Sequence, residues 1–389
     1  MNLKTIFICL VLIFCSSVYI TYANVHHKST DQTGQQLPDN FNLSQPNKTD
    51  TTIKVQNNWV KSVDYHAAIW FLAQKIKLDD KQAQSDYSMP YAIFTGNIQS
   101  RYHLSLHMYA KHFEHVTPIT PGLGFREFYI KYAPTKKINI LAGKDVLPFG
   151  SFHSYLFEQP LTKKFAITLH NTILANLNLA NWHFSTYLFK PSQRYIANNQ
   201  LGLGARMQYQ IKYQDNNKIM LGMDYTSSLT DAALFQYNLG FGGLQTTPLK
   251  KRLGGFATYL HAYWHQNYVL LSYIGSIHRS QPGEFGLDHP GYLGAYDTEI
   301  GHIFSINGHS LIYSAGFSGG MNLIGLGLPQ YMFTTGLKYR LNKHVALYAG
   351  YLYNQFYAKN SASAQYNKHY RALLGKYSQS ILVAVNLFI

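Results

Sequence analysis

Cysteine occurs twice in the 389 residues, at Cys9 and Cys15, both inside the opening stretch MNLKTIFICLVLIFCSSVYITYA. Lys4 gives that stretch a positive start, Ile6 to Phe14 an apolar centre and Tyr22-Ala23 a small-residue end, the pattern of a secretory signal peptide over 1–23. Phe14 before Cys15 does not fit a lipoprotein box, so cleavage is expected after Ala23. The mature chain then holds no cysteine, which excludes disulfides and thiolate-metal chemistry. Charge is also scarce: Asp, Glu, Lys and Arg make up 13% of the chain and aromatics 15%, whereas a globular domain is about 25% charged. That is too little charge to cover a water-facing exterior. Long apolar runs are missing as well, since nothing after the opening stretch approaches the ~18 residues a spanning helix needs.

An exported, aromatic-rich, charge-poor chain without spanning helices is expected to be all-β, a transmembrane antiparallel β-barrel in a Gram-negative outer membrane. The alternation agrees. In KHVALYAGYLYN, Val345, Leu347, Ala349, Tyr351 and Tyr353 form one row against His344, Ala346, Tyr348, Gly350 and Asn354. In the last stretch Ile381, Val383, Val385, Leu387 and Ile389 oppose Ser378, Ser380, Ala384 and Asn386. Period 2 suits a strand with one face in lipid and one toward a lumen.

A soluble sandwich would alternate too, and loop lengths separate the two. Strands are expected near 91–112, 122–132, 137–145, 166–178, 182–190, 200–212, 218–227, 255–265, 268–278, 293–305, 309–317, 330–341, 344–357 and 377–389. Short turns such as APTKK, QDNN, NG and LNK alternate with long Gly/Pro-rich connections. That is the pattern of periplasmic turns and outer loops, with about 14 strands (range 12–16) over 91–389 and both termini periplasmic. Residues 24–58 read as a disordered periplasmic leader. In 59–90, Val60, Val63, Ala67, Trp70, Phe71 and Ile76 match one side of a short helix, a tether at the barrel base or a plug.

The strand faces give a lumen. Arg206, Gln208, Gln210 and Lys212 point inward on one strand, Thr334, Gly336, Lys338 and Arg340 on another, and Tyr259, His261, Tyr263 and His265 on a third. Glu127, Lys131, His183, Tyr187, Lys218 and Asp224 also face in. The formal charge is +15, and +15 − 1 = +14 once Lys4 leaves with the signal. A lumen lined by Arg206, Lys212, Lys338, Arg340 and Lys131, with His261 and His265, concentrates small anions. The same cations also read as solvated wall residues balanced by lipopolysaccharide phosphates or by each other. They are spread around the barrel and form no stripe along one element, so nucleic acid is not an expected partner. No serine is placed beside His261, His265 or Asp288-His289, and His-x-x-x-His at 261 and 265 has ligand-pair spacing only on a helix. Neither enzyme nor metal nor cofactor is expected.

One stretch is more specific. REFYIKYAPTKKINILAGKDVLPFGSFHSYLFEQPLT carries Gly143, then Pro148-Phe149-Gly150, then Pro160-Leu161-Thr162, with Gln159 in front. It resembles the LbtU family of siderophore porins, where a strand ending in Gly leads into Pro-Phe-Gly and then Asp-Pro-Leu-Thr. The resemblance implies an outer-membrane channel that takes up ferric siderophores without a large globular plug. In this chain Pro148 and Gly150 would bend the loop, and Phe149 and Phe152 would anchor it inside the mouth or shape the rim. Expected partners are outer-membrane lipid and lipopolysaccharide, the barrel-assembly machinery and a small anionic solute or ferric siderophore. Two other readings use the same residues: a general diffusion porin, and an adhesin or scaffold barrel that presents its loops.

Overall fold

The computed structural model describes residues 51–54, 59–78, 81–113, 123–191, 200–213, 217–240, 251–282, 284–287, 289–359 and 373–388. The expected signal peptide, and the leader apart from 51–54, lie outside the described residues. The first strands are β1 (Thr51–Lys54), β2 (Val60–Leu78), β3 (Lys81–Ser100), β4 (Leu104–Phe113), β5 (Leu123–Tyr132) and β6 (Ile138–Val146). A helix, α1 (Leu161–Ala166), precedes β7 (Leu169–Leu179), β8 (Trp182–Phe189), β9 (Gly202–Lys212) and β10 (Lys218–Thr226). After α2 (Ala233–Gly240) come β11 (Gly255–Trp264), β12 (Asn267–Ser276), β13 (Gly294–Ile306) and β14 (His309–Met321). The last three are β15 (Tyr331–Arg340), β16 (Val345–Gln355) and β17 (Tyr377–Phe388).

Each strand from β2 onward pairs antiparallel with the next, and β17 pairs back onto β2 from Ser378↔Leu78 to Phe388↔Ala68. Of the 17 strands in the sheet, β1 lies outside this ring and adds only to the base of β2, so 17 − 1 = 16 strands close the barrel. Closure leaves the ring no unpaired edge, which is the condition for a sheet to sit in hydrocarbon. Side-chain period does the rest. On β17, Ile381 and Val383 are exposed while Ser380, Leu382, Ala384 and Asn386 are buried, and on β9 Leu203 and Met207 point out while Gln208 points in. Tight reversals sit at the short ends: Asn307-Gly308 turns β13 into β14 with φ of 49° and 79°, left-handed values that two-residue hairpins favour.

Three expectations change. The ring has 16 strands where about 14 were expected, because 91–112 is the end of one strand and the whole of another. The reversal at Arg101–His103 holds no Gly, Pro or Asn, and His103 itself takes the left-handed conformation, φ 63°. Residues 60–78 are not helical and do not plug the lumen; they are a wall strand, and the barrel begins there rather than at 91. Both faces of β2 are apolar, Ile69, Phe71 and Ala73 outward and Ala68, Trp70 and Leu72 inward, so the run matches helical spacing as easily as alternation. Part of the expected disordered leader, Thr51–Lys54, is strand. The two added strands preserve the parity of all that follow, and the inward and outward rows of β9, β11 and β15 stand as expected except at His265.

Val383 lies mid-strand on the lipid face, where an Arg costs about 2–4 kcal/mol in a barrel. Val383→Arg is expected to reduce insertion into bilayers, measured by the heat-modifiable shift of the folded band, while Gln208→Arg inserts normally. Greater damage from Gln208→Arg would mean the register is displaced by one residue.

Candidate functional site: a constriction loop pinned across the lumen

The segment between β6 and β7 does not leave the barrel. It enters at Leu147, whose N–H is bonded to the Thr168 carbonyl at 2.9 Å, and folds into the lumen. A loop there has few neighbours on its own backbone, so the wall must satisfy it. The wall supplies three carboxylates. Asp224 on β10 accepts the Gly150 N–H at 2.6 Å. Glu299 on β13 accepts the Ser154 hydroxyl at 2.6 Å, the Tyr155 N–H at 2.9 Å and the Tyr268 hydroxyl at 2.9 Å. Asp297, two residues earlier and on the same face, accepts the Leu161 and Thr162 N–H groups at 3.0 and 2.9 Å. These two donors open α1, so the carboxylate also meets the positive end of a helix.

The first anchor is a clamp. Arg206 on β9 grips Asp224 through Nε (3.0 Å) and Nη2 (2.8 Å) and gives Nη2 to the Gly150 carbonyl at 2.7 Å. One wall pair therefore holds both polar groups of one glycine. The position requires glycine: φ is 79°, and a Cβ would lie 2.6 Å from Ile274 Cδ1. Tyr259 supports the clamp from below, with the Arg206 guanidinium 5.6 Å from its ring centroid. Beyond Tyr155 the loop reaches the far wall, where Phe157 packs edge-on against Trp70 of β2 at 5.9 Å and Tyr348 of β16 at 5.8 Å. On the outer side Phe149, Leu161 and Phe165 join a buried cluster with Leu229, Phe235, Phe285, Leu293, Leu323 and Leu326 from the outer loops. Burial of this cluster keeps the loop from lifting outward.

The loop thus lies along β9–β16 and touches β2. Beside it, some inward side chains of β4–β8 remain part-exposed while Tyr109, Leu141, Leu174, Tyr187 and Phe189 are buried; among the part-exposed is His107, which sits 3.7 Å from Glu127 and stacks on Tyr129. Toward the short-turn end a cavity of about 560 Å³ is lined by Asn178, Asn181, His183, Gln208, Gln210 and Lys212. Two of its amides are held in place: Gln208 accepts the Tyr259 hydroxyl at 3.1 Å and Asn178 Oδ1 lies 2.5 Å from His183 Nδ1.

The expected site residues separate into two groups. The loop motif and part of the lumen set come together: Phe149 and Gly150 at the clamp, Pro160 ahead of α1, Leu161 and Thr162 on Asp297, Arg206 in the clamp, and His261, wholly buried, facing the loop. Pro148 precedes them in the same bend, and Gly143 sits where a Cβ would meet the Phe128 carbonyl oxygen at 2.4 Å. Lys338 is buried at 3% exposure, its Nζ 5.2 Å from the Tyr348 ring, so it and Arg206 are packing and anchoring cations rather than free pore charges. Lys131 and Lys212 stay accessible to the lumen, and Arg340 donates to the Asn342 carbonyl at 3.3 Å near the base. His265 is not inward on a strand: it is exposed in the two-residue turn after Trp264, φ 53°. Sequence reasoning missed Asp297 and Glu299 as anchors. In a chain so poor in charge, two acids spaced by two on a strand pattern, in Tyr296-Asp297-Thr298-Glu299, were the available signal.

No protein-family model and no curated protein sequence matches the chain. Solved structures do. An anion-selective porin from Comamonas acidovorans is 11% identical with TM-score 0.55, covering 84% of this chain and 99% of that one. The outer-membrane channel DcaP of Acinetobacter baumannii is 10% identical with TM-score 0.55, covering 86% and 99%. OmpF of Salmonella typhi, in complex with daunomycin, is 13% identical with TM-score 0.54, covering 84% and 98%. The fold is that of an outer-membrane porin barrel.

Asp224→Ala leaves the part-buried Arg206 without its carboxylate and the Gly150 N–H without its acceptor, and breaking a pair from one side costs up to about 3–5 kcal/mol where it is fully buried. A lower unfolding temperature and noisier single-channel current are expected. Asp224→Ala with Arg206→Met removes both charges and should recover much of the temperature loss; no recovery would contradict the clamp.

Proposed function

We propose that the chain is a porin-type channel of a Gram-negative outer membrane, passing small solutes through the part of the lumen that the pinned loop leaves free. The observation that carries this is the loop itself. Three wall carboxylates and a part-buried arginine hold a segment across a closed barrel, a construction that narrows a passage without filling it.

For cargo, we favour ferric siderophores or other anionic chelates. Support comes from the resemblance at Gly143, Pro148-Phe149-Gly150 and Pro160-Leu161-Thr162, the last two of which build the loop and the start of α1, and from the inward lysines Lys131 and Lys212, the second of them at the cavity. The formal charge of +15 has the same sign. A confined aqueous space between walls of low dielectric strengthens such a field. One feature favours a second reading, general diffusion of neutral hydrophilic solutes: the amides Asn178, Asn181, Gln208 and Gln210 contribute no charge to the cavity wall.

Reversal potentials across a salt gradient test the choice. The wild-type channel is expected to prefer anions, Lys131→Glu with Lys212→Glu to shift toward cations, and the shift to shrink at 1 M salt, where the Debye length is about 3 Å. Cation preference in the wild type would remove the case for anionic chelates. Liposome swelling at equal rates with neutral sugars and anionic chelates of similar size would favour the general porin.

A further inference from the structure

Where the loop meets β11, polar ring atoms are buried without partners. His153 and His261 of β11 face each other with ring centroids 5.8 Å apart and planes inclined by 37°. His261 is 0% exposed, and both of its ring nitrogens, with Nε2 of His153, are buried without a hydrogen-bond partner. Elsewhere the loop is held by charge-assisted bonds, so these two rings stand out as the contact that water would improve. We infer that the His153–His261 contact is an acid-released latch, which keeps the constriction loop against the wall at neutral pH and lets it move into the free lumen when either ring takes a proton.

The surroundings set the direction. His153 is near Lys218 of β10, Lys338 of β15 and Lys163 of α1, and His261 is near Lys218 and the Arg206 of the clamp. Aromatic neighbours complete the shell: Tyr155 and Tyr263 on His153, Tyr259 on His261. Carboxylates lie at the neighbouring anchors, Asp224 bound to Arg206 and Glu299 bound to Ser154 and Tyr155. A proton added to His153 would thus enter a dry pocket among cations, which disfavours it. Burial, with the nearby lysines, pushes His153 down to about 4, whereas a solvated imidazole titrates near 6.5.

The sign follows from that difference. The docked state holds its proton less tightly than the released state, so docking is at full strength above about pH 6.5 and is lost progressively as pH falls toward about 4. The barrel wall is fixed by its ladder, and the outer cluster covers the upward route. A freed loop segment therefore moves toward the inward side chains of β4–β8 that remain part-exposed, such as His107, Lys131 and His183, and narrows the passage.

The latch rests on the channel reading, and two readouts keep them apart. In planar bilayers, wild-type conductance is expected to fall by roughly half or more as pH drops through this window. His153→Phe with His261→Phe should hold conductance steady over the same range, and His153→Arg should give the low conductance already at pH 7. Asp224, Asp297 and Glu299 also take up protons in acid, so the decisive comparison is between wild type and the Phe variant at each pH. A nitroxide on a cysteine introduced at Ser151 reports loop mobility in the folded barrel whether or not it conducts. Acid mobilisation in the wild type but not in the Phe variant supports the latch. The same acid midpoint in both would overturn it, and absence of conductance at every pH would overturn only the channel.

Discussion

A segment suspended inside a barrel cannot use the barrel's ladder to satisfy its backbone, and water alone would leave it free to wander. Here the buried carboxylates of Asp224, Asp297 and Glu299 take that role, each accepting bonds from loop N–H groups. Charge is expensive in such a place, which is why each carboxylate is surrounded by donors and one carries a bidentate arginine. The geometry of the passage depends on these contacts more than on the strands, because the strands fix only the wall.

That arrangement changes what the cations mean. Arg206 and Lys338 are inward cations beside the loop, yet Arg206 is consumed by Asp224 and the Gly150 carbonyl, and Lys338 is enclosed against Tyr348. A field in the aqueous path then comes from Lys131, from Lys212 at the cavity and from the group of Glu127, Asp145 and His107. Counting inward charges overstates the basic character of a lumen when part of the set is structural.

The all-β barrel was legible because lipid imposes period 2 on one face and loop length distinguishes one end from the other. Rows such as Leu203, Ala205 and Met207 against Arg206 and Gln208 read directly. The first strands did not, since β2 is apolar on both faces: its inward row packs on the loop tip at Phe157 and on Tyr348, so alternation is lost where the lumen is dry. The reversal at His103 was hidden for want of a turn residue. At the site, the Pro148-Phe149-Gly150 motif located the loop, but its partners Asp297 and Glu299 are distant in sequence, and no local signal pairs them with Thr162 or Tyr155. His265 was misplaced by a single residue, because the turn begins where the apolar alternation had not yet ended.

The closing seam has a kinetic meaning. β2 lies near the start of the chain and β17 at its end, and they pair from Leu78 with Ser378 to Ala68 with Phe388. Until the last strand has been synthesised and exported, β2 presents one bare edge with apolar side chains on both faces, a template for pairing with other chains. This contact is of very long range in sequence, which slows closure. The first barrel strand therefore keeps one edge unpaired until the last one is in place, so closure is the final step of the ring.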